Sequence, residues 1–346
     1  MDTDTDTDTD TDTGEDGRMT SDGHGHGPLM VPLLDSEPSF ISAPRCADLS
    51  TLEADVAILG IQAGVPYDMV GSTFGSLLAP GTMRQQSTRW DWLLSHYDYD
   101  FGGDIFAGRD VRVVDCGNTR LEAGEYAANN ERNTAAVRAI IERGAVPVVL
   151  GGGHEITIPI LRAYEGQEPM YMIQIDAHLD WRDEVNGVHD GLSSPMRRAS
   201  EMPWISGMAQ VGIRGVGSAR QQEVDDARAY GSVIIGARDV HRNGVEAALA
   251  QIPDHARYFI TFDADGLDPT IAPAVGAPNF GGLTYEQGLH LLQGIARKGQ
   301  IVGYDFVVVR PGLDIGNITS LVGARMTLNL IGAMAHSGQI GRAPGA

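Results

Sequence analysis

The sequence is poor in cysteine, in basic residues and in long apolar runs. Its two cysteines, Cys46 and Cys116, form no CxxC pair, which argues against a disulfide framework or a thiolate metal site. Lys and Arg number 25 against 46 Asp and Glu, a formal net charge of −21, so nucleic acid is not an expected partner. The sequence predicts neither a membrane span nor a signal peptide. We therefore expect a soluble protein of the cytoplasm.

The N-terminus is the most biased segment of the chain. Six Asp-Thr repeats fill residues 2–13, and a Gly- and His-rich stretch follows. Such a composition buries too little apolar surface to order itself. We interpret residues 1–30 as a disordered acidic tail and residues 31–346 as a single domain.

Short β-branched runs alternate with helical patterns after the tail, which is typical of parallel strands joined by crossover helices. Predicted strands cover residues 56–61, 111–115, 146–150, 170–175, 209–213, 233–235, 258–262 and 301–309. Predicted helices cover residues 125–143, 223–230, 245–251, 285–298 and 317–336, while 181–203 reads as a long irregular loop. The fold class is therefore α/β, with a parallel sheet of about eight strands.

Three polar clusters each follow a predicted strand. They are Gly151-Gly-Gly-His154, Asp176-Ala-His178-Leu-Asp180 and Asp263-Ala-Asp265. Each alone is weak, because an Asp at a strand end usually caps a turn. Carboxyl ends of parallel strands open onto one crevice, and alternate residues of extended chain share a face, so the clusters are expected to meet. Four carboxylates and two imidazoles predict a two-metal site and hydrolysis of an amide, amidine or phosphate.

Together with Gly-Leu-Asp268-Pro269 after the third cluster, these motifs resemble the ureohydrolases, the arginase and agmatinase family. The segment 317–325 is similar to the C-terminal helix of that family. The resemblance implies a three-layer arginase-like fold, two divalent ions, usually Mn²⁺, and assembly into trimers or hexamers. It also implies cleavage of a guanidino group into urea and an amine.

The resemblance assigns a role to each matching residue. His154, Asp176, Asp180 and Asp263 would hold one ion, and Asp176, His178, Asp263 and Asp265 the other, with Asp176 and Asp263 bridging. Asp180 would hydrogen-bond the attacking hydroxide. His189 is a candidate proton shuttle, with a solvent-facing loop histidine as the open alternative. Ser193 and Ser194 stand where the family carries a substrate-binding His-Gly-Thr segment.

The sequence departs from the family around the substrate. The first motif normally reads Gly-Gly-Asp-His-Ser, whereas here it is Gly-Gly-Gly153-His154-Glu155, a change that favours Ni²⁺ as a second candidate metal. Val308 aligns with the family's glutamate that pairs with the guanidinium, and the loop from Phe74 to residue 78 predicts an apolar wall. These changes favour a guanidine compound other than agmatine, such as metformin, another alkylated guanidine or guanidine itself.

Two other readings stay open. A non-catalytic or helper subunit could pair with a more typical ureohydrolase chain, and Val308 motivates that alternative. A deacetylase on a related fold would hold a single zinc ion and would not need both His154 and Asp265. The number of ions bound per chain separates these readings from a two-metal hydrolase.

Overall fold

The sheet is built from nine strands in the computed structural model, which describes residues 29–62 and 75–343. The strands are β1 Met30–Val31, β2 Val56–Ile61, β3 Val113–Thr119, β4 Val146–Gly151, β5 Met170–Ile175, β6 Ile205–Ile213, β7 Val233–Gly236, β8 Arg257–Asp263 and β9 Gln300–Val307. Their order is β1-β3-β2-β4-β9-β8-β5-β6-β7. All eight predicted strands are confirmed and pair in parallel, while β1 adds a short antiparallel edge beside β3.

Nine α-helices connect the strands within the described ranges. They are α1 Ala79–Ser87, α2 Tyr126–Glu142, α3 Thr157–Arg162, α4 Pro195–Ser200, α5 Gln221–Tyr230, α6 Ala237–Asn243, α7 Val245–Leu249, α8 Tyr285–Lys298 and α9 Ile318–His336. The five predicted helices are all present. The expectation of irregular chain throughout 181–203 is wrong at α4, a helix too short to show apolar periodicity.

The two faces of the sheet carry separate cores, which makes the fold three-layered as expected. Val56 and Ile58 of β2 face a core that includes side chains of α8 and α9, whereas Ala57 and Leu59 face one that includes α2 and α3. Alternation along a strand sends successive side chains to opposite faces, so strands covered on both sides are apolar throughout.

Helix α9 is long and apolar enough to cross a membrane by composition alone. In this fold 83% of its most apolar window is buried inside the protein. It packs against α1 and α8 and belongs to the core on the sheet face to which Val56 and Ile58 point.

The sheet order brings together the strand ends that carry the polar clusters. β4 leads to His154, β8 to Asp263 and β5 to Asp176, and β9 lies between β4 and β8. Since these neighbours are parallel, their carboxyl ends open on the same edge. Residues 1–28, which hold most of the expected tail, lie outside the described ranges, and β1 begins inside the last part of it.

Candidate metal centre

His154 stands at the start of a short 3-10 turn, His154–Ile156, directly after the glycine-rich exit from β4. Its Nδ1 lies 2.7 Å from Asp180 Oδ2, 3.2 Å from Asp176 Oδ2 and 3.4 Å from Asp263 Oδ2. The atom is buried, yet it has no partner of hydrogen-bond geometry within the described part of the chain. An enclosed nitrogen that faces three carboxylates is the donor arrangement of a site that binds a cation.

The second cluster reaches the site by a different route from the one expected. β5 ends at Ile175, and the residues after it turn away instead of continuing as extended chain. Asp180 has a left-handed backbone with φ of +50°, a conformation that Asp tolerates better than most residues. The turn, and not strand alternation, carries Asp176, His178 and Asp180 to one place.

The third cluster converges through a 3-10 turn at the end of β8. Asp263 closes the strand, and its Oδ1 accepts the backbone N–H of Asp265 at 2.8 Å. The turn lets Asp265 reach His178, whose Nδ1 lies 3.2 Å from Asp265 Oδ2 and 3.4 Å from Asp176 Oδ1.

Five of the six side chains form two overlapping groups of donors, and the sixth, Asp180, lies beside His154. His154, Asp176 and Asp263 form one group, and Asp176, His178 and Asp265 form the other, each with its donor atoms within 4.8 Å of one another. Donors at about 2.1 Å from an ion and at right angles to each other are about 3 Å apart, so these spacings fit divalent ions. Asp176 presents Oδ2 to His154 and Oδ1 to His178, as a bridging carboxylate would.

A cavity of about 250 Å³ opens above this cluster. His154, His178 and Asp180 line it together with Trp181, Leu192, Ser193, Val308 and Arg310. Its size suits a small molecule of few heavy atoms. A buried acidic cluster of this kind, open to a small cavity, is suited to metal-assisted hydrolysis of a small substrate.

Comparison with known proteins agrees with this arrangement. The model of the arginase family matches residues 54–332. The chain belongs to the arginase family. The expected arginase-like fold and the expected class of enzyme, a hydrolase of carbon–nitrogen bonds in linear amidines, are thereby confirmed.

The arginase-family chain has relatives of about one-third identity over most of its length. It is 31% identical to a guanidinopropionase of Pseudomonas aeruginosa over 89% of this chain and 94% of that one. It is 32% identical to an agmatinase of Photorhabdus laumondii over 78% and 84% of the two chains. A solved structure of a hypothetical agmatinase from Burkholderia thailandensis superposes with a TM-score of 0.75 at 27% identity, over 87% and 91% of the two chains.

Burial and mutual repulsion raise the pKa values of three of the four carboxylates of this arginase-family centre, whereas the imidazoles of His154 and His178 lower that of Asp176. Burial, with the charge of Asp176 beside it, raises the pKa of Asp180 to about 6, and the pKa values of Asp263 and Asp265 are raised by the same causes. Burial alone would lower the pKa of His178, but its carboxylate neighbours outweigh that and raise it to about 12. Metal ligands must lose their protons, so metal affinity is expected to rise with pH.

A row of buried polar residues crosses four strands behind the centre. Gln210, Gln174, Thr261 and Asp305 occupy paired positions on β6, β5, β8 and β9. Gln174 Nε2 donates to Asp176 Oδ2 at 2.7 Å. Thr261 Oγ1 donates to Asp305 Oδ1 at 2.5 Å and lies 2.9 Å from His154 Nε2.

Sequence reasoning missed this row because each member is a single polar residue inside an apolar strand. A signal was available: Gln174 and Thr261 each stand two residues before an aspartate of the centre, on the same face of the strand. Since the Thr261 hydroxyl gives its proton to Asp305, it accepts the one on His154 Nε2. That leaves Nδ1 free as a ligand.

Replacing Thr261 with valine is expected to weaken metal binding by about 10- to 100-fold, the usual effect of losing a partner of a metal-ligating histidine. The two side chains have nearly the same shape, so the hydroxyl is the main loss. Calorimetric titration with Mn²⁺ measures the affinity, and Thr261→Ser, which keeps the hydroxyl, is the matched control. Equal affinities of the valine and serine variants would show that the hydroxyl does not orient His154.

Glu155 is the buried acid that departs from the family motif. Neither of its carboxylate oxygens has a hydrogen-bond partner among the described residues, and burial raises its pKa to about 7. A Cβ placed on Gly153 would lie 2.3 Å from Glu155 Oε2. Glu155 therefore folds back into the space that a side chain at position 153 would take.

The structure places the expected substrate residues unequally. Val308 and Ser193 line the cavity, whereas Ser194 is buried and is not part of the lining. His189 is 56% exposed and lies with Nδ1 3.8 Å from Asp183 Oδ1, on the outside of the loop. The solvent-facing alternative describes its position in the structure.

The expected apolar wall from residues 74 to 78 is not seen in the part of it that the structure describes. Phe74 lies outside the described ranges, Ser76 lines the cavity, and Leu78 is 67% exposed. The expectation is wrong for these described residues because the segment turns into α1 and points Leu78 outward. The apolar side chains of the cavity come from Trp181, Leu192 and Val308 instead.

Proposed function

We propose that this arginase-family protein is a dinuclear metal-dependent hydrolase that cleaves a carbon–nitrogen bond of a guanidine compound, releasing urea or a related product and an amine. The observation that carries the proposal is the meeting of two imidazoles and four carboxylates at the floor of a small cavity. All six side chains expected as ligands lie in or beside this cluster, which supports a site for two ions.

His154, Asp176, Asp180 and Asp263 would hold one ion and Asp176, His178, Asp263 and Asp265 the other. Bound divalent ions would supply a nucleophile by lowering the pKa of water from 15.7 to about 7. Mn²⁺ is the first candidate by family likeness, and Ni²⁺ is the second because Glu155 changes the surroundings of His154. Oxygen and imidazole donors accept either ion.

The chain's own side chains would position the reactants. Asp180 lines the cavity beside His154 and is placed to accept a hydrogen bond from the attacking water. It would take the proton of that water and pass it to the departing nitrogen, which leaves poorly as an anion. We assign this role to Asp180 ahead of His189, since His189 does not line the cavity.

The substrate is proposed to be a guanidine other than agmatine. Val308 cannot accept the hydrogen bonds of a guanidinium, so a cationic substrate loses a charge-assisted contact at that wall. The names of the two relatives imply substrates whose tails differ in charge, so likeness alone does not choose between them. Metformin, other alkylated guanidines and guanidine itself are candidates that lack a second positive charge.

Reconstitution with Mn²⁺ and with Ni²⁺ in separate samples tests this function. Each sample is assayed for urea release from agmatine, 4-guanidinobutyrate, guanidine and metformin, with dimethylamine also measured for metformin. We expect turnover of at least one guanidine and slow turnover of agmatine. No release from any of them with either metal would refute the proposed activity.

Changing Val308 to glutamate is expected to raise kcat/KM for agmatine by roughly 10- to 100-fold, the value of one charge-assisted contact to the guanidinium. Val308 already has a φ of +69°, which is strained for a β-branched residue, so glutamate costs no additional backbone strain. Val308→Gln has the same length without the charge and is the matched control. Equal effects of the two changes would contradict a charge-based explanation.

The alternative is a helper subunit that binds no metal of its own. Retention of all six donors argues against it, because four crowded carboxylates without ions repel one another. Metal analysis of the chain purified alone separates the two, and fewer than about one ion per chain would favour the helper. We also propose cytoplasmic location and assembly as a trimer or hexamer or with a related chain, which light scattering can measure.

A further inference from the structure

Arg310 lies in the wall of the metal cavity and has no acidic partner among the described residues. It follows the end of β9, the strand between β4 and β8, and so lies above the middle of the centre. Its side chain makes no hydrogen bond or ion pair with any residue in 29–62 or 75–343, and Nε is enclosed. A buried donor without a partner is costly, and in a ligand cavity such a donor is available to a ligand.

Two glycines leave the space that the Arg310 side chain occupies. A Cβ on Gly276 would lie 2.5 Å from Nη2, and a Cβ on Gly75 would lie 3.1 Å from Cδ. The side chain thus lies directly against backbone at both positions, and its guanidinium has little freedom to turn. A guanidinium held in one orientation offers a planar pair of N–H donors, the geometry that matches a carboxylate.

The charge balance of the cavity leaves Arg310 uncompensated. Two divalent ions would neutralise the four aspartates of the centre. Arg182, the other arginine of the cavity wall, lies 3.4 Å from Glu223 and is paired. Outside the metal cluster, no acidic side chain among the described residues lines the cavity. Among the described residues, Arg310 is therefore the cation of the cavity wall that has no acidic partner, and it disfavours a cationic tail placed beside it.

We propose that Arg310 is the specificity-determining residue of this site and binds the carboxylate of an ω-guanidino acid while the metal centre takes the guanidine end. This inference rests on the proposed guanidine hydrolysis and names its substrate class. Agmatine would place an ammonium group beside Arg310. Metformin and alkylguanidines would leave Arg310 without a partner, so they are expected to be poorer substrates than the acids.

A matched set of guanidines tests the proposal on the metal-loaded protein. Guanidinoacetate, 3-guanidinopropionate and 4-guanidinobutyrate are compared with N-butylguanidine, which has the length of the last acid but an apolar end, and with agmatine and metformin. We expect the best acid to exceed N-butylguanidine in kcat/KM by about tenfold or more. Higher turnover of N-butylguanidine or metformin than of all three acids would overturn the role of Arg310 and leave guanidine hydrolysis standing.

Two variants separate recognition from a structural role. Arg310→Met keeps the length of the side chain without the charge and should bring the ratio of acid to N-butylguanidine close to one. Gly276→Ala keeps the charge but places a methyl group where the Arg310 guanidinium lies, so it should lower the same ratio. Bound metal per chain should not change in Arg310→Met. Loss of metal would mean that Arg310 supports the centre itself and would refute the proposal.

Binding of the three acids can be measured even if the protein turns over no guanidine, so it tests the anion site separately from catalysis. If no guanidine is hydrolysed, calorimetric titration of the three acids decides the outcome. Binding to the natural chain that is lost in Arg310→Met would support the anion site while the proposed function fails. Equal binding of the acids to the natural chain and to Arg310→Met, or no binding to either, would refute the anion site together with the proposed function.

Discussion

Replacing Asp176 with asparagine is expected to abolish metal-dependent turnover, with a loss on the order of 1,000-fold or more, because it removes the carboxylate shared by both groups of donors. Loss of an outer partner of a metal ligand already costs about 10- to 100-fold. Asp176 presents one oxygen to each imidazole, at 3.2 and 3.4 Å. Bound metal, counted by elemental analysis, and urea release should fall together.

The control for this prediction is Asp183→Asn, which removes the charge of a nearby but exposed acid. Asp183 is 60% exposed and pairs with Arg198 on the surface, so its loss should leave metal content unchanged. Two ions per chain retained in Asp176→Asn would show that Asp263, the other proposed bridge, holds both ions without Asp176. One oxygen of Asp263, Oδ1, already accepts the N–H of Asp265.

Restoring the family's aspartate at position 153 is expected to damage the protein. In Gly153→Asp the new Cβ would lie 2.3 Å from Glu155 Oε2, and two carboxyl groups would compete for one buried space. Crowding a second buried carboxylate against Glu155 should cost about 3 kcal/mol or more, and the temperature of thermal unfolding should fall by roughly 4 °C or more. Scanning calorimetry measures the shift.

The double change Gly153→Asp with Glu155→Ser should recover most of that loss, because the serine vacates the space. Gly81→Asp is the control for adding an acid at a glycine, since Gly81 is exposed and has nothing near its Cβ position. Failure of the double variant to recover stability would contradict the view that Glu155 and a side chain at 153 exclude one another.

Much of the fold could be predicted because its signals are local. Eight apolar strands and five periodic helices follow from burial on both sheet faces and from the 3.6-residue repeat. The helices α1, α3, α4 and α6 and the edge strand β1 were missed, and each has nine residues or fewer, which gives little periodic pattern to read.

The identity of the metal-type residues was readable, but the way they converge was not. Asp180 reaches the centre through a left-handed turn, and Asp265 reaches it through a 3-10 turn. Strand alternation, from which the sequence predicts that the clusters meet, produces neither of these turns. His189 shows the reverse case: a suitable residue type close in sequence that the loop carries to the surface.

The sequence by itself determined the α/β class, the strand that precedes each cluster and the six donors, because these depend on residue type and local periodicity. Only the tertiary structure decided which strands are neighbours, and so what surrounds the donors. It set the Gln174–Thr261–Asp305 row behind them, folded Glu155 over Gly153, and placed Arg310 against Gly276 in the cavity wall. Each of these depends on contacts between residues far apart in the chain, where no local pattern records the distance or the charge that results.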